Sequence, residues 1–97
     1  MSRDRGTAAQ PVDQGFGLVC DADGNAMPDY IMVSANQEHG IIAHRDGGAD
    51  KALTLGVGAQ LRILPNHACA TAAQHARYHI VDGAQDIDAV WERISGW

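Results

Sequence analysis

This sequence predicts an all-β domain, a small closed or Greek-key β-barrel with one short helix after the loop that carries His67 and Cys69. Three observations lead there. Eleven glycines and three prolines in 97 residues break the chain often, which favours many short elements joined by turns over a helical bundle. The apolar runs are brief and rich in β-branched and aromatic residues, as in Tyr30-Ile31-Met32-Val33, a composition that suits pleated, half-buried strands. Only residues 68–76 are dense in strong helix formers. A single domain of this size buries about 60–65% of its unfolded surface, so its core is modest. Closing the strands into a barrel would remove free edges that otherwise invite aggregation.

Residues 1–12 are polar and contain Ala, Gln and Pro, so they read as an irregular lead-in, and the domain spans 13–97. Residues 15–20 form a first strand, ended by the turn signal Asp21-Ala22-Asp23-Gly24-Asn25. That turn lacks the spaced acidic ligands and closing glutamate of a calcium loop. Residues 30–35 and 40–44 are the next strands, joined through Asn36-Gln37-Glu38-His39-Gly40. The polar insert 45–51 is a hairpin tip or loop, and residues 53–55 are a strand or a single helical turn. Residues 60–64 form a clear strand that Pro65 ends. Asn66 is positioned to cap the helix over 68–76. A strand over 77–82 and a turn at 83–85 follow. Residues 87–93 alternate as a half-buried strand, although Ile87, Val90, Trp91 and Ile94 also fall at helical spacing. Trp91 and Trp97 are expected to cover the core near the C-terminus, and Cys20 to lie within it.

The formal charge of −5 leaves no basic footprint for nucleic acid. No apolar run approaches the roughly 20 residues of a membrane span. Met1-Ser2-Arg3-Asp4-Arg5 leads into no apolar core, so a secretory signal is not expected. Cys20 and Cys69 then read as free thiols or metal ligands in a cytoplasmic protein. Lys51 is the single lysine, and no glycine-rich phosphate loop or nucleophile elbow is present. A self-sufficient enzyme is hard to assemble from such a chain.

Chemistry concentrates in Leu64-Pro65-Asn66-His67-Ala68-Cys69-Ala70-Thr71. Imidazole and thiolate together suit zinc better than magnesium or calcium. Two ligands cannot close a structural site, but they can anchor an open one whose other positions take water or substrate. The bland alternative is a loop histidine beside a small buried thiol. Glu38-His39-Gly40 is the second constellation. His39 there could orient a ligand or carry a proton, and Gly40 would permit positive φ or close backbone approach; a turn with a satisfied histidine is the alternative. His44, His75 and His79 read as surface or half-buried residues, and Asp82, Asp86 and Asp88 as a solvated strand edge.

Taken together, Asn36-Gln37-Glu38-His39-Gly40, the 64–71 segment, Val90-Trp91-Glu92-Arg93 and the opening Asp13-Gln14-Gly15 resemble the C-terminal domain of the D-serine dehydratase and D-threonine aldolase group. The resemblance covers residues 13–97 in order and spacing. It implies a two-domain enzyme of the alanine racemase-like, fold type III architecture. In that architecture an N-terminal barrel binds pyridoxal phosphate (PLP) on a lysine, and the C-terminal β domain packs over the barrel mouth. The histidine and cysteine matching His67 and Cys69 would hold zinc beside the cofactor. Aldolase members have aspartate at the Cys69 position, so this chain leans to the dehydratase side.

The implied reaction is loss of the β-hydroxyl from a D-β-hydroxy amino acid. The metal stabilises the departing oxygen and PLP takes up the electrons left at the α-carbon. The barrel and its Schiff-base lysine are missing, and Lys51 matches no cofactor-lysine motif. The isolated chain is therefore expected to be inactive and to expose an apolar docking face that favours self-association. The barrel domain and a D-amino acid substrate are the expected partners. A D-threonine aldolase-like or racemase-like relative, and a free-standing β interaction module without metal, are the alternatives.

Overall fold

A computed structural model of the chain describes residues 10–83 and 86–94. They form β1 (Gly17–Cys20), β2 (Ala26–Ala35), β3 (Gly40–His44), β4 (Arg62–Pro65), α1 (Ala68–Ala72), β5 (Arg77–Ile80) and β6 (Ala89–Glu92), with a 3₁₀ turn at Ala49–Lys51. β1 to β4 make one antiparallel sheet in the order β3-β2-β1-β4, and β5 pairs with β6 in a second. The molecule is mostly β, antiparallel throughout its two sheets, with one short helix. Among the described residues β3 and β4 are free edges of the larger sheet, and no closed barrel is detected.

The apolar segments at the middle of β1 and β2 build the core, where Val19, Cys20, Ile31, Met32 and Ala35 are buried. Consecutive residues of a strand face opposite sides, so burying both Ile31 and Met32 requires cover on both faces. Gly40 helps to supply it: a Cβ there would lie 2.6 Å from the Met32 methyl carbon. The β2–β3 register shifts between Met32, opposite Ile42, and Ser34, opposite Ile41, leaving Val33 as the extra residue of a bulge.

Four expectations are corrected. Residues 53–55 form neither strand nor helical turn; Leu55 is exposed and has no sheet partner. The helix stops at Ala72 rather than reaching Ala76. Gln74 and His75 donate their amides three residues back, to Thr71 and Ala72, and Ala76 accepts from Arg93, so the chain is drawn into the β5–β6 ribbon. Asn66 does not cap the helix, because His67 occupies that position. Trp91 is 62% exposed rather than covering the core, since its strand pairs with β5 and sets it opposite Tyr78. Trp97 and residues 84–85 of the expected turn lie outside the described residues. Residues 89–92 do form a strand, in preference to the amphipathic helix. Among the described residues no helix is long and apolar enough to cross a membrane.

Candidate metal-ligand loop and its supporting frame

Antiparallel pairing gathers the three motifs at one end of the larger sheet. The start of β3, the end of β2, the start of β1 and the end of β4 all lie there, as the pairs Ala35–Gly40 and Gly17–Pro65 require. Asp13-Gln14-Gly15 enters β1 from that end, Asn36 to His39 turn across it, and Asn66-His67-Ala68-Cys69 leave β4 toward it.

Each loop is held by specific bonds. The Asp13 carboxylate accepts the Gly15 amide at 2.7 Å, and Phe16 donates its amide to the Met32 carbonyl at 2.8 Å. Gly15 has φ +59, and a Cβ on it would lie 2.2 Å from the Met32 carbonyl oxygen, so only glycine fits. Arg45 ties this loop to β2: its guanidinium donates to the Pro28 and Asp13 carbonyls and, at 2.5 Å, to Gln14 Oε1. The Asn66 side-chain amide donates to the Gly15 carbonyl at 2.6 Å. Its oxygen accepts from Gln10 Nε2 at 3.2 Å.

His67 follows with extended backbone, φ −129 and ψ 102, at the N-cap of α1, and makes no side-chain capping bond. Thr71 Oγ1 donates back to the His67 carbonyl at 3.0 Å, closing the helical turn. Cys69 sits in that turn as an exposed free thiol. This differs from the buried thiol of the bland alternative, and His67 is exposed as well.

The β2–β3 hairpin is closed by the Asn36 amide donating to the His39 carbonyl at 2.8 Å. The Asn36 side-chain nitrogen faces His39 Nε2 at 3.3 Å. An amide nitrogen can only donate, so this contact places the proton of a neutral His39 ring on Nδ1. Gly40 owes its place to the close approach of Met32 rather than to positive φ. Met32, Asn36, Glu38 and His39 line a shallow cleft of about 170 Å³. Among the described residues no three His, Cys, Asp or Glu side chains converge as a ligand group. His67 and Cys69 lie two residues apart at the start of α1, and His39 does not join them in such a group.

Lys51 pairs with Asp46 at 3.3 Å on the far side of the β2–β3 ribbon, where Tyr30 donates to the Lys51 carbonyl and meets the His44 ring edge-on at 5.4 Å. At the β1–β2 turn the Asp21 carboxylate accepts from the amides of Asp23 and Asn25 and from the Asn25 side chain. Those bonds, led by the Asn25 side chain, hold its pKa below the ordinary carboxyl value of 3.8. Asn66, Arg45 and Gln10 were not singled out as parts of the site by sequence reasoning. The Asp-x-Gly and Pro-Asn-His segments were its only trace of them.

Residues 1–81 match the family described as "Putative serine dehydratase domain". D-threo-3-hydroxyaspartate dehydratase of Delftia sp. (strain HT23) is 52% identical over 99 residues, a match that spans all of this chain and 26% of that protein. D-serine dehydratase of Schizosaccharomyces pombe is 39% identical over 82 residues, covering 84% of this chain and 18% of that protein. Two solved structures of D-threo-3-hydroxyaspartate dehydratase cover the whole chain and about a quarter of their own length. One is a histidine-to-alanine variant, with TM-score 0.82 and 50% identity, and the other a cysteine-to-alanine variant in the metal-free form, with TM-score 0.78 and 48% identity. The chain thus spans about a quarter of the length of these relatives, and it belongs to the serine dehydratase domain family, as the C-terminal domain of that group.

Proposed function

We propose that this chain is the metal-bearing domain of a PLP-dependent lyase that removes the β-hydroxyl of D-β-hydroxy amino acids. The observation that carries the reading is the His67–Cys69 pair, exposed on one turn at the sheet end where the family motifs gather. The donor set fits zinc: a neutral imidazole and a thiolate are soft ligands, and a two-donor anchor leaves positions open. The histidine and cysteine replaced in the two solved variants are also two positions apart, and one of those structures is described as metal-free. That supports His67 and Cys69 as the ligands here.

A bound zinc supplies Lewis acidity at a substrate β-oxygen. The chain's own residues do the rest of what this domain contributes. His67 and Cys69 hold the ion, and the Asn66 loop sets them against the sheet. His39, with its ring turned by Asn36 and lining a cleft at the same end, is suited to orient the substrate or carry a proton at Nδ1. PLP does not fit the residues present, because the one lysine is engaged with Asp46 in an exposed turn. No step through the cofactor is assigned to this chain, which on its own is inactive. The reading places the domain, residues 13–97, against a separate PLP barrel, with any closure of its sheets into a small barrel completed there. Two free cysteines suit a cytoplasmic setting.

Elemental analysis of the purified chain tests the metal. About one zinc per chain is expected, lost in both His67→Ala and Cys69→Ser, and falling at acid pH because both ligands must be deprotonated. A metal-free wild-type chain whose stability does not respond to added zinc would overturn the assignment.

A further inference from the structure

We infer that Asn66 is a positioning residue that sets the geometry of the His67–Cys69 pair; the inference rests on the metal reading above. A helix of five residues has no stability of its own, and no side-chain capping bond closes its N-terminus. What aims the pair must therefore come from outside the helix. The chain between β4 and His67 is a single residue, Asn66, since Pro65 is still paired with Gly17.

Asn66 reaches back to the most constrained point of the sheet end. Its amide donates to the Gly15 carbonyl at 2.6 Å, across 51 residues of sequence. Gly15 cannot shift easily. Its own amide is bound by Asp13, the neighbouring Phe16 amide is bound to Met32, and Arg45 grips the carbonyl of Asp13 and the side chain of Gln14. Gln10 fixes the other end of the Asn66 amide from Nε2, which sets the rotamer so that nitrogen rather than oxygen faces Gly15. The backbone of His67 is thus referenced to the β1–β2 frame on one side and, through Thr71, to its own helical turn on the other. Ligand sets need their donors held within about 0.5 Å of the productive geometry. A two-donor anchor has no further protein ligands to correct an error.

The test is a Co²⁺ titration of the full 97-residue chain, followed by the thiolate-to-metal and d–d absorption bands and by Zn²⁺ competition, with circular dichroism and melting in parallel. Wild type is expected to show both bands, and His67→Ala to lose them. Asn66→Ala is expected to bind about 10-fold more weakly, the lower end of the range for residues that orient metal ligands, with shifted d–d bands while its fold is retained. Gln10→Ala should move the same way by a smaller factor. If Asn66→Ala does not fold, Gln10→Ala carries the comparison. A folded Asn66→Ala, or in its place Gln10→Ala, with wild-type affinity and spectrum would overturn the positioning role while leaving the metal reading intact. Absence of both bands in wild type would overturn the metal reading, and this inference with it.

Discussion

Gly15 is the residue on which most of the candidate site leans. Its φ of +59 and the Met32 carbonyl oxygen, 2.2 Å from where a Cβ would sit, leave no room for a side chain. Gly15→Ala is expected to lower stability by about 1–3 kcal/mol from backbone strain alone, with the clash adding to it; urea unfolding measures the loss, and an unchanged midpoint would contradict the geometry. His67, Cys69 and Gly15 stood out in the sequence as candidates, because unusual residue types at close spacing carry their own signal. Asn66 was legible as a residue and misread in role. Helix-cap rules are local, and an asparagine just before an alanine-rich run satisfies them. Its acceptor, the Gly15 carbonyl, is far away in sequence, and no local pattern can show that bond.

Among the elements, the strands of the larger sheet followed from their apolar, β-branched runs, whereas the helix was overextended. Propensity favours helix through Ala76, but the bond from Arg93 to the Ala76 carbonyl belongs to a pairing that forms with the C-terminal strand. Tertiary pairing overrides propensity there. The β1–β2 turn gives the clearest pH expectation. The Asp21 pKa is lowered in the folded chain, chiefly by the Asn25 side chain. Its contribution is therefore fully present above the unfolded carboxyl value of 3.8 and is lost as pH falls through the lower folded value. An NMR titration should place the Asp21 carboxyl below that value, and Asp21→Asn should flatten the acid limb of the stability curve. A carboxyl titrating at or above it would refute the assignment.

Across the whole molecule the buried apolar set is small, and large apolar side chains remain outside it. Val57, Ile94, Trp91, Leu64, Ile87 and Ile41 are all more than half exposed, and Tyr78 and Trp91 sit opposite each other on the β5–β6 ribbon. Sedimentation velocity is expected to show mass rising with concentration, and Trp91→Ser to reduce it. A strictly monomeric wild type would argue against a domain built to pack on another. The barrel expected from strand count was not legible in the same way, since closure depends on which edges meet and strand patterns do not encode that. The Asn66–Gly15 bond has a consequence for how the domain is born. Sequence-distant contacts form late in folding because the intervening loop must first close. A growing chain brings out the residues of the Gly15 frame first, and His67 and Cys69 side by side only after them. Selective metal capture must wait until edge strand β4 zips onto β1, and fraying of that same edge would be the first route by which a bound ion escapes.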